Sequence, residues 1–339
     1  MRGFKRLGYT LCRDMTKAAV NWGILGASGF ARKVMGPAIN EARRSRLVAL
    51  ATRDAARAAP FSDLAPGLRV HESYEALLAD PDIDAVYIPL PNALHVEWTD
   101  RAVRAGKAVL CEKPIGLTAS DVGRLIALRD ESGAFIAEAW MPAHHPQWLK
   151  AREIVARGDL GRLHTVTGVF TYGLSDPANV RNSAALAGGA MRDIGVYPVG
   201  AFRFATGLEP AVIRAEAEWE DGVDTSTWVD ARAGDVRFRF HVSMRTTKRQ
   251  EMVFEGDGGW LTVNAPFNAA EYGQADIVLR QPEGADRVFR FPTARQYVNQ
   301  VEAVGATLLD GAEYPMPLET SLGTQRVLDA VFDSLGMPG

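Results

Sequence analysis

Val20-Asn21-Trp22-Gly23-Ile24-Leu25-Gly26-Ala27-Ser28-Gly29-Phe30-Ala31 places an apolar run directly before a glycine-rich turn and an opening helix. The run Val20–Leu25 reads as a strand, and the helix extends over roughly 29–44. Such a turn aims free backbone N–H groups and a helix dipole at a pyrophosphate. Read from Gly26, the spacing is G-x-G-x-x-A with Ser28 at the second glycine position, where its hydroxyl can donate to a phosphate oxygen. The same glycines would also serve a ligand-free strand-to-helix turn; the flanking strand and helix favour a nucleotide held by Gly26, Ser28, Gly29, Phe30 and Ala31.

Outward from this stretch the strand–turn–helix pattern repeats. Leu47–Ala51, Ile83–Pro89, Ala108–Cys111 and Ala134–Ala139 read as strands, with helices over Val96–Ala105 and Ser120–Ser132 closed by Gly106 and Gly133. This is an α/β Rossmann unit with a doubly wound parallel sheet, spanning 19–140. Ligands of such sheets lie at the carboxyl ends of the strands. An acidic residue at the end of the second strand would accept ribose hydroxyls, but here the strand ends in Thr52-Arg53, with Arg57 one helical turn on. Two guanidinium groups favour a 2′-phosphate and hence NADP, while Asp54 still admits NAD.

After Pro146 the texture changes. A helix to Arg157 is followed by strands at Leu163–Tyr172, Ala211–Trp219, Arg237–Met244, Glu251–Glu255, Trp260–Val263, Asp276–Leu279 and Arg287–Phe291. Helical content at about 188–206 interrupts them, and two helices near 296–309 and 319–334 close the chain. Residues 141–339 are therefore expected to form an α+β domain with a large, mostly antiparallel open sheet. Phe238, Phe240, Val242 and Met244 alternate with Arg237, Arg239, His241 and Ser243, so one face of that strand is polar.

The 339 residues are 47% apolar and 23% charged, an ordinary globular composition long enough for two cores. Lys plus Arg at 38 against Asp plus Glu at 41 gives a net charge of −3, so no general positive field exists to hold nucleic acid or an anionic membrane. No window reaches the apolar length of a membrane-spanning helix. Only Cys12 and Cys111 are present, which argues against a disulfide framework and for the cytoplasm. Residues 1–18 read as an arm or a translation-start artefact without chemistry. His144-His145 is not read as a metal site, since adjacent imidazoles point apart and no carboxylate or thiolate set supports them. Trp219, Trp228 and Trp260 sit in strand patterns and read as sheet packing.

The chemistry-bearing motifs are Pro89-Leu90-Pro91-Asn92 with His95, Glu112-Lys113-Pro114 at a strand end, Glu138-Ala139-Trp140-Met141, and Gly188-Gly189-Ala190-Met191-Arg192-Asp193-Ile194-Gly195-Val196-Tyr197-Pro198. Together with the glycine turn they resemble the glucose–fructose oxidoreductase/inositol dehydrogenase/rhizopine-catabolism (Gfo/Idh/MocA) family, in its dihydrodiol and aldose dehydrogenase branch, over nearly the whole chain from about residue 20. The resemblance implies that Tyr197 exchanges a proton with the substrate oxygen, that Asp193 supports it, and that Lys113 binds both nicotinamide ribose and substrate. It further implies a cofactor lined by Pro89, Leu90, Asn92, His95, Glu112 and Pro114, a substrate beside Trp140 and Arg181, and a cis Lys113–Pro114 bond. Spacing of four sets Asp193 and Tyr197 on one helical face, although Pro198 should push Tyr197 away from helical dihedrals. A neighbouring ammonium is expected to lower the phenol's pKa. Pro142-Ala143-His144 departs from relatives that carry an arginine or aromatic residue there, which implies a wider or differently polar pocket.

The expected activity is hydride transfer between NADP and a sugar or related cyclic polyol. The alternatives are a trans-dihydrodiol dehydrogenase, an anhydro-sugar reductase, or a non-catalytic nucleotide-binding sensor or co-repressor, which would have no need of Lys113, Asp193 and Tyr197 together. Association through the open sheet face into a homodimer or homotetramer is also expected.

Overall fold

The computed structural model describes residues 18–337, apart from 270, so most of the arm at 1–18 lies outside the described residues. The first unit runs β1 (Val20–Leu25), α1 (Gly36–Glu41), β2 (Ser45–Ala51), α2 (Ala55–Ala58), β3 (Arg69–His71), α3 (Tyr74–Leu78), β4 (Ala85–Ile88), α4 (His95–Arg104), β5 (Ala108–Cys111), α5 (Ala119–Ser132) and β6 (Ile136–Glu138). Its six strands are all parallel in the order β3-β2-β1-β4-β5-β6, the nucleotide-binding order with its switch point beside β1. β3 and α3 were not anticipated. β3 has only three residues, and two of them, Arg69 and Val70, are exposed, so it carries no hydrophobic run.

A π turn (Ala31–Met35) precedes α1, and a second one (Met191–Gly195) precedes α7 (Val196–Thr206). Each lies just ahead of a proline, Pro37 or Pro198. Proline offers no N–H to the carbonyl four residues back and crowds it, and a wider turn with bonds to the fifth residue relieves both problems. Gly36 N–H indeed bonds the carbonyl of Ala31. Tyr197 therefore stays helical, contrary to the expectation drawn from Pro198.

The second unit follows as α6 (Pro146–Ala156), β7 (Leu163–Gly173), α7, β8 (Ala211–Glu220), β9 (Val223–Ala233), β10 (Val236–Ser243), β11 (Arg245–Gly256), β12 (Gly259–Asn264), β13 (Asp276–Arg280), β14 (Arg287–Arg290), α8 (Gln296–Asp310) and α9 (Leu318–Ser334). Its sheet has the order β14-β13-β12-β11-β7-β10-β9-β8, antiparallel except where β7 meets β10. Phe238 of β10 stacks on Phe202 of α7 with centroids 4.4 Å apart, which fixes the covered face. Arg237 and Arg239 face outward on the open side, where exposed Trp228 stacks on His241. β9 escaped the sequence reading because its first half, Asp224-Thr225-Ser226-Thr227, is polar yet buried. Its hydroxyls are satisfied internally, Ser226 with Ser243 at 2.8 Å and Thr227 on Asp224 at 2.8 Å.

The two C-terminal helices return to the first unit. α8 is tied there by Arg43–Glu302 (3.1 Å), Arg44–Asp310 (2.9 Å) and Arg295–Glu41. α9 is tied by Arg129–Glu319 (2.8 Å) and by Asp329, which accepts the Ala119 N–H at 2.7 Å. Val298, Val301 and Phe332 join Trp22, Ile24, Phe202 and Phe238 in one continuous core.

His144, within 3.2 Å of the Tyr314 hydroxyl, and His145, which accepts the Gln147 N–H at the start of α6, are both buried. Burial pushes each imidazole down to about 4. Between about pH 6.5 and 4 the unfolded chain binds protons that the folded chain refuses, so stability present near neutrality is lost as pH falls through this window. Each histidine contributes up to roughly 3 kcal/mol to that loss. Asp224, raised by burial to about 6, works in the opposite sense, favouring the fold as pH falls. His95 and His241 are lowered as well, and Glu112 and Glu138 raised, so the sign is tested on one group alone: His144→Gln should raise the urea midpoint at pH 5 relative to that at pH 7, and a pH dependence unchanged by that substitution would contradict this account.

Candidate functional site

The glycine turn is built as the sequence suggests. Gly26 has φ +105°, and a Cβ there would stand 2.8 Å from Leu90, whose side chain forms the floor beneath the turn. A Cβ on Gly29 would meet nothing within 4 Å, which leaves open space at the start of the helix for a ligand. Ser28 Oγ accepts the Ala31 N–H at 3.0 Å, and its own proton remains able to donate outward. Arg57 reaches back from α2 to donate to the Ala27 carbonyl at 3.2 Å, so its guanidinium stands against the turn. Arg53 is exposed at the end of β2 and, among the described residues, has no carboxylate partner. Thr52 is buried, and its hydroxyl accepts the Asp54 N–H at 3.2 Å, which turns the chain. An open cradle with a positive φ glycine and two cations that have no carboxylate partner among the described residues is a donor set that fits a dinucleotide.

At the carboxyl edge of β5 the Lys113–Pro114 bond is cis. Lys113 Nζ donates to the Asp193 carbonyl at 2.5 Å and to its carboxylate at 3.1 Å, and lies 5.1 Å from the Tyr197 ring centroid. Asp193 is held on its other oxygen by Arg181 (2.8 Å) and by the Tyr172 hydroxyl (2.7 Å). Despite burial, the two cations hold its carboxyl far below the usual range. Glu112 accepts the Tyr87 hydroxyl at 2.5 Å, and burial raises its carboxyl. Buried Glu138 accepts the Ile115 N–H at 3.0 Å and so fixes the turn after Pro114.

Tyr197, 6% exposed, is packed between Phe170 and Phe267, with centroids 5.2 and 5.1 Å away, and its hydroxyl points at Met141 Sδ, 3.7 Å distant. Asp193 does not bond it. The phenol is raised well above its ordinary value, not lowered. Burial dominates, and Lys113 lies over the ring with its charge already balanced by Asp193.

Two further expectations need correction. His95 is fully buried and cannot touch a cofactor: its ring nitrogens lie 2.7 Å from the Pro114 carbonyl and 2.8 Å from that of Leu90, so it ties the two edge loops together. Trp140 is 2% exposed against Gly200 and Phe204, so it is core and does not contact substrate. Asn92 donates to the Ala187 carbonyl at 2.9 Å and thereby bridges the units. Sequence reasoning missed Tyr172 on β7 and Tyr297 on α8. Tyr297 meets the Phe30 ring edge-on at 5.6 Å, and its hydroxyl accepts from Asn268 at 3.4 Å. Neither lies in a local motif. Among the described residues no group of three or more His, Cys, Asp or Glu is placed to hold a metal ion, and no helix is long and apolar enough to cross a membrane.

Residues 20–139 match the profile of an oxidoreductase family with an NAD-binding Rossmann fold, and 148–262 match the GFO/IDH/MocA C-terminal domain. An uncharacterized oxidoreductase, ORF334, of Rhizobium meliloti is 38% identical over 92% of this chain and 96% of its own length. D-xylose 1-dehydrogenase (NADP(+)) 2 of Haloferax volcanii is 34% identical over 92% and 96%. Among solved structures, the 3-ketoreductase KijD10 from Actinomadura kijaniata, in complex with NADP and TDP-benzene, superposes with a TM-score of 0.86 at 29% identity, covering 93% of this chain and 98% of its own.

Proposed function

Because this chain belongs to the GFO/IDH/MocA family of oxidoreductases, we propose that it interconverts the CH–OH and carbonyl forms of a sugar or related cyclic polyol with NADP, oxidising an aldose at its anomeric carbon or running the reverse reduction. The observation that carries this reading is the convergence of Lys113, Asp193 and Tyr197 at the strand edge next to the phosphate turn. A nicotinamide bound along that edge supplies the hydride donor or acceptor. Asp193, ionised between Lys113 and Arg181, holds both cations against the reacting oxygen. The raised phenol of Tyr197 keeps its proton at Oη and can donate it to a carbonyl oxygen in reduction once substrate displaces the Met141 contact; in oxidation Oη must first release that proton to solvent and then takes the one leaving the substrate hydroxyl. Absorbance at the reduced-nicotinamide band, with a panel of pentoses, hexoses and dihydrodiols, tests the reading; binding of NADP without turnover of any of them would replace it by the sensor alternative.

NADP preference rests chiefly on Arg53, with Arg57 held against the glycine turn. A charge-assisted contact to phosphate contributes roughly 1.5–3 kcal/mol, or about tenfold to a hundredfold in affinity. Arg53→Ala is expected to lower the NADP-to-NAD ratio of kcat/KM by that factor, and a native preference for NAD or an unchanged ratio would overturn the assignment. The open face of the second sheet, with its outward Arg239, His241 and Trp228, is the surface through which we expect copies to associate. Light scattering at micromolar concentration should give two or four times the 36.8 kDa of one chain, and a monomer mass alone would reject it. Two cysteines, with Cys111 buried and free, suit the cytoplasm.

A further inference from the structure

The two oxygens of the Asp193 carboxylate are held in different ways. Oδ1 faces the Lys113 ammonium at 3.1 Å. Oδ2 lies 2.8 Å from Arg181 Nε, but that N–H is not aligned on it, so the contact is one of charge without a hydrogen bond. Tyr172 Oη donates to the same oxygen at 2.7 Å and, among the described residues, supplies the directed bond there.

The three partners also differ in stiffness. Lys113 is a point charge on a flexible four-carbon stem, and Arg181 stands on a single short turn (Val180–Asn182) with its side chain 42% exposed. Tyr172 is carried by β7, between β11 and β10, where the pairing with β11 becomes irregular between Arg245 and Arg249, opposite Gly173 and Thr171. Thr171 Oγ1 donates to the Thr247 carbonyl at 2.6 Å and the Leu174 N–H to that of Met244 at 2.9 Å, which closes the irregular step on both sides of Tyr172. Such a step re-aims a side chain, and the ring it aims meets Phe170 edge-on with centroids 6.4 Å apart. Rotation about χ2 of an aspartate is soft and two-fold, so cations that accept either oxygen leave the carboxylate free to turn. One directed bond from a strand removes that freedom.

We propose that Tyr172 is a positioning residue: its hydroxyl locks the Asp193 carboxylate so that Oδ1 stays turned to Lys113 and the ammonium stays beside the Tyr197 ring. This rests on the reading of Lys113, Asp193 and Tyr197 as the reacting centre.

The full chain with NADP, assayed on the pentose, hexose and dihydrodiol panel, provides the test, each variant being compared on the compound that the native chain turns over fastest. Tyr172→Phe is expected to lower kcat about tenfold or more, as loss of one hydrogen bond to a charged group implies, with the Kd for NADP within about twofold of native. In an Asp193→Asn background no anion remains to be oriented, and the same substitution should cost less than about twofold. Tyr172→3-fluorotyrosine keeps the hydroxyl on a more acidic phenol; it should restore most of the kcat and leave the pH profile of kcat/KM in place, a readout that does not depend on Asp193→Asn folding. A native kcat in Tyr172→Phe, an equal loss with and without the Asp193 carboxylate, or a pH profile that moves with the fluorinated phenol overturns the inference alone, the last by making Tyr172 a proton carrier itself. Loss of NADP binding together with kcat in Tyr172→Phe also overturns it, as a fault of folding. Absence of turnover of every compound by the native chain, with NADP still bound, overturns the proposed function and the inference with it.

Discussion

Replacement of Tyr197 by Phe is expected to lower turnover about 100-fold or more, near 2.7 kcal/mol of transition-state stabilisation, while NADP affinity stays nearly native. The substitution removes only the hydroxyl, whose hydrogen-bond partner among the described residues is the weakly accepting Met141 thioether, so little folding stability should be lost. The ring keeps its places against Phe170, Phe267 and Lys113. A fall in kcat without a change in cofactor affinity therefore separates proton transfer from packing. Full turnover on every substrate the native chain uses would remove Tyr197 from the acid/base role.

Lys113→Ala should do wider damage, because one ammonium serves several partners. Without it Asp193 retains Arg181 and Tyr172, but the main-chain carbonyl at 193 loses its donor and the edge of β5 loses its charge toward Glu112. Breaking one side of a buried charge pair costs about 3–5 kcal/mol. If about 4 kcal/mol of that falls on the bound transition state, kcat/KM drops about 1000-fold, with weaker NADP binding by fluorescence titration as a second symptom. A variant that binds NADP as tightly as the native chain would deny Lys113 its place beside the nicotinamide ribose.

What was legible in the sequence was local. The glycine turn, the Glu112-Lys113-Pro114 edge and most strands depend on short spacing or on apolar runs, and these survive folding unchanged. β9 was hidden because Asp224 to Thr227 are buried polar residues that satisfy one another and Ser243, a pattern indistinguishable in sequence from a surface turn. His95 and Trp140 sit inside site motifs, yet their side chains point inward; a motif records proximity along the chain and not side-chain direction. The direction of the Tyr197 shift was misread because nothing local says that Lys113 would lie over the ring with its charge matched by Asp193. Tyr172 and Tyr297 arrive from β7 and α8, so only the three-dimensional fold places them there.

The return of α8 and α9 to the first unit has a consequence for how the protein is made. A ribosome releases the six parallel strands well before the helices that cover Trp22 and Ile24 and brace α5. At about 5–20 residues per second, the nascent half waits on the order of ten seconds or more with part of its apolar face bare. Tyr297 of α8, which meets Phe30 at the glycine turn, is among the last pieces to arrive, so the turn acquires its full surroundings only when translation is nearly complete.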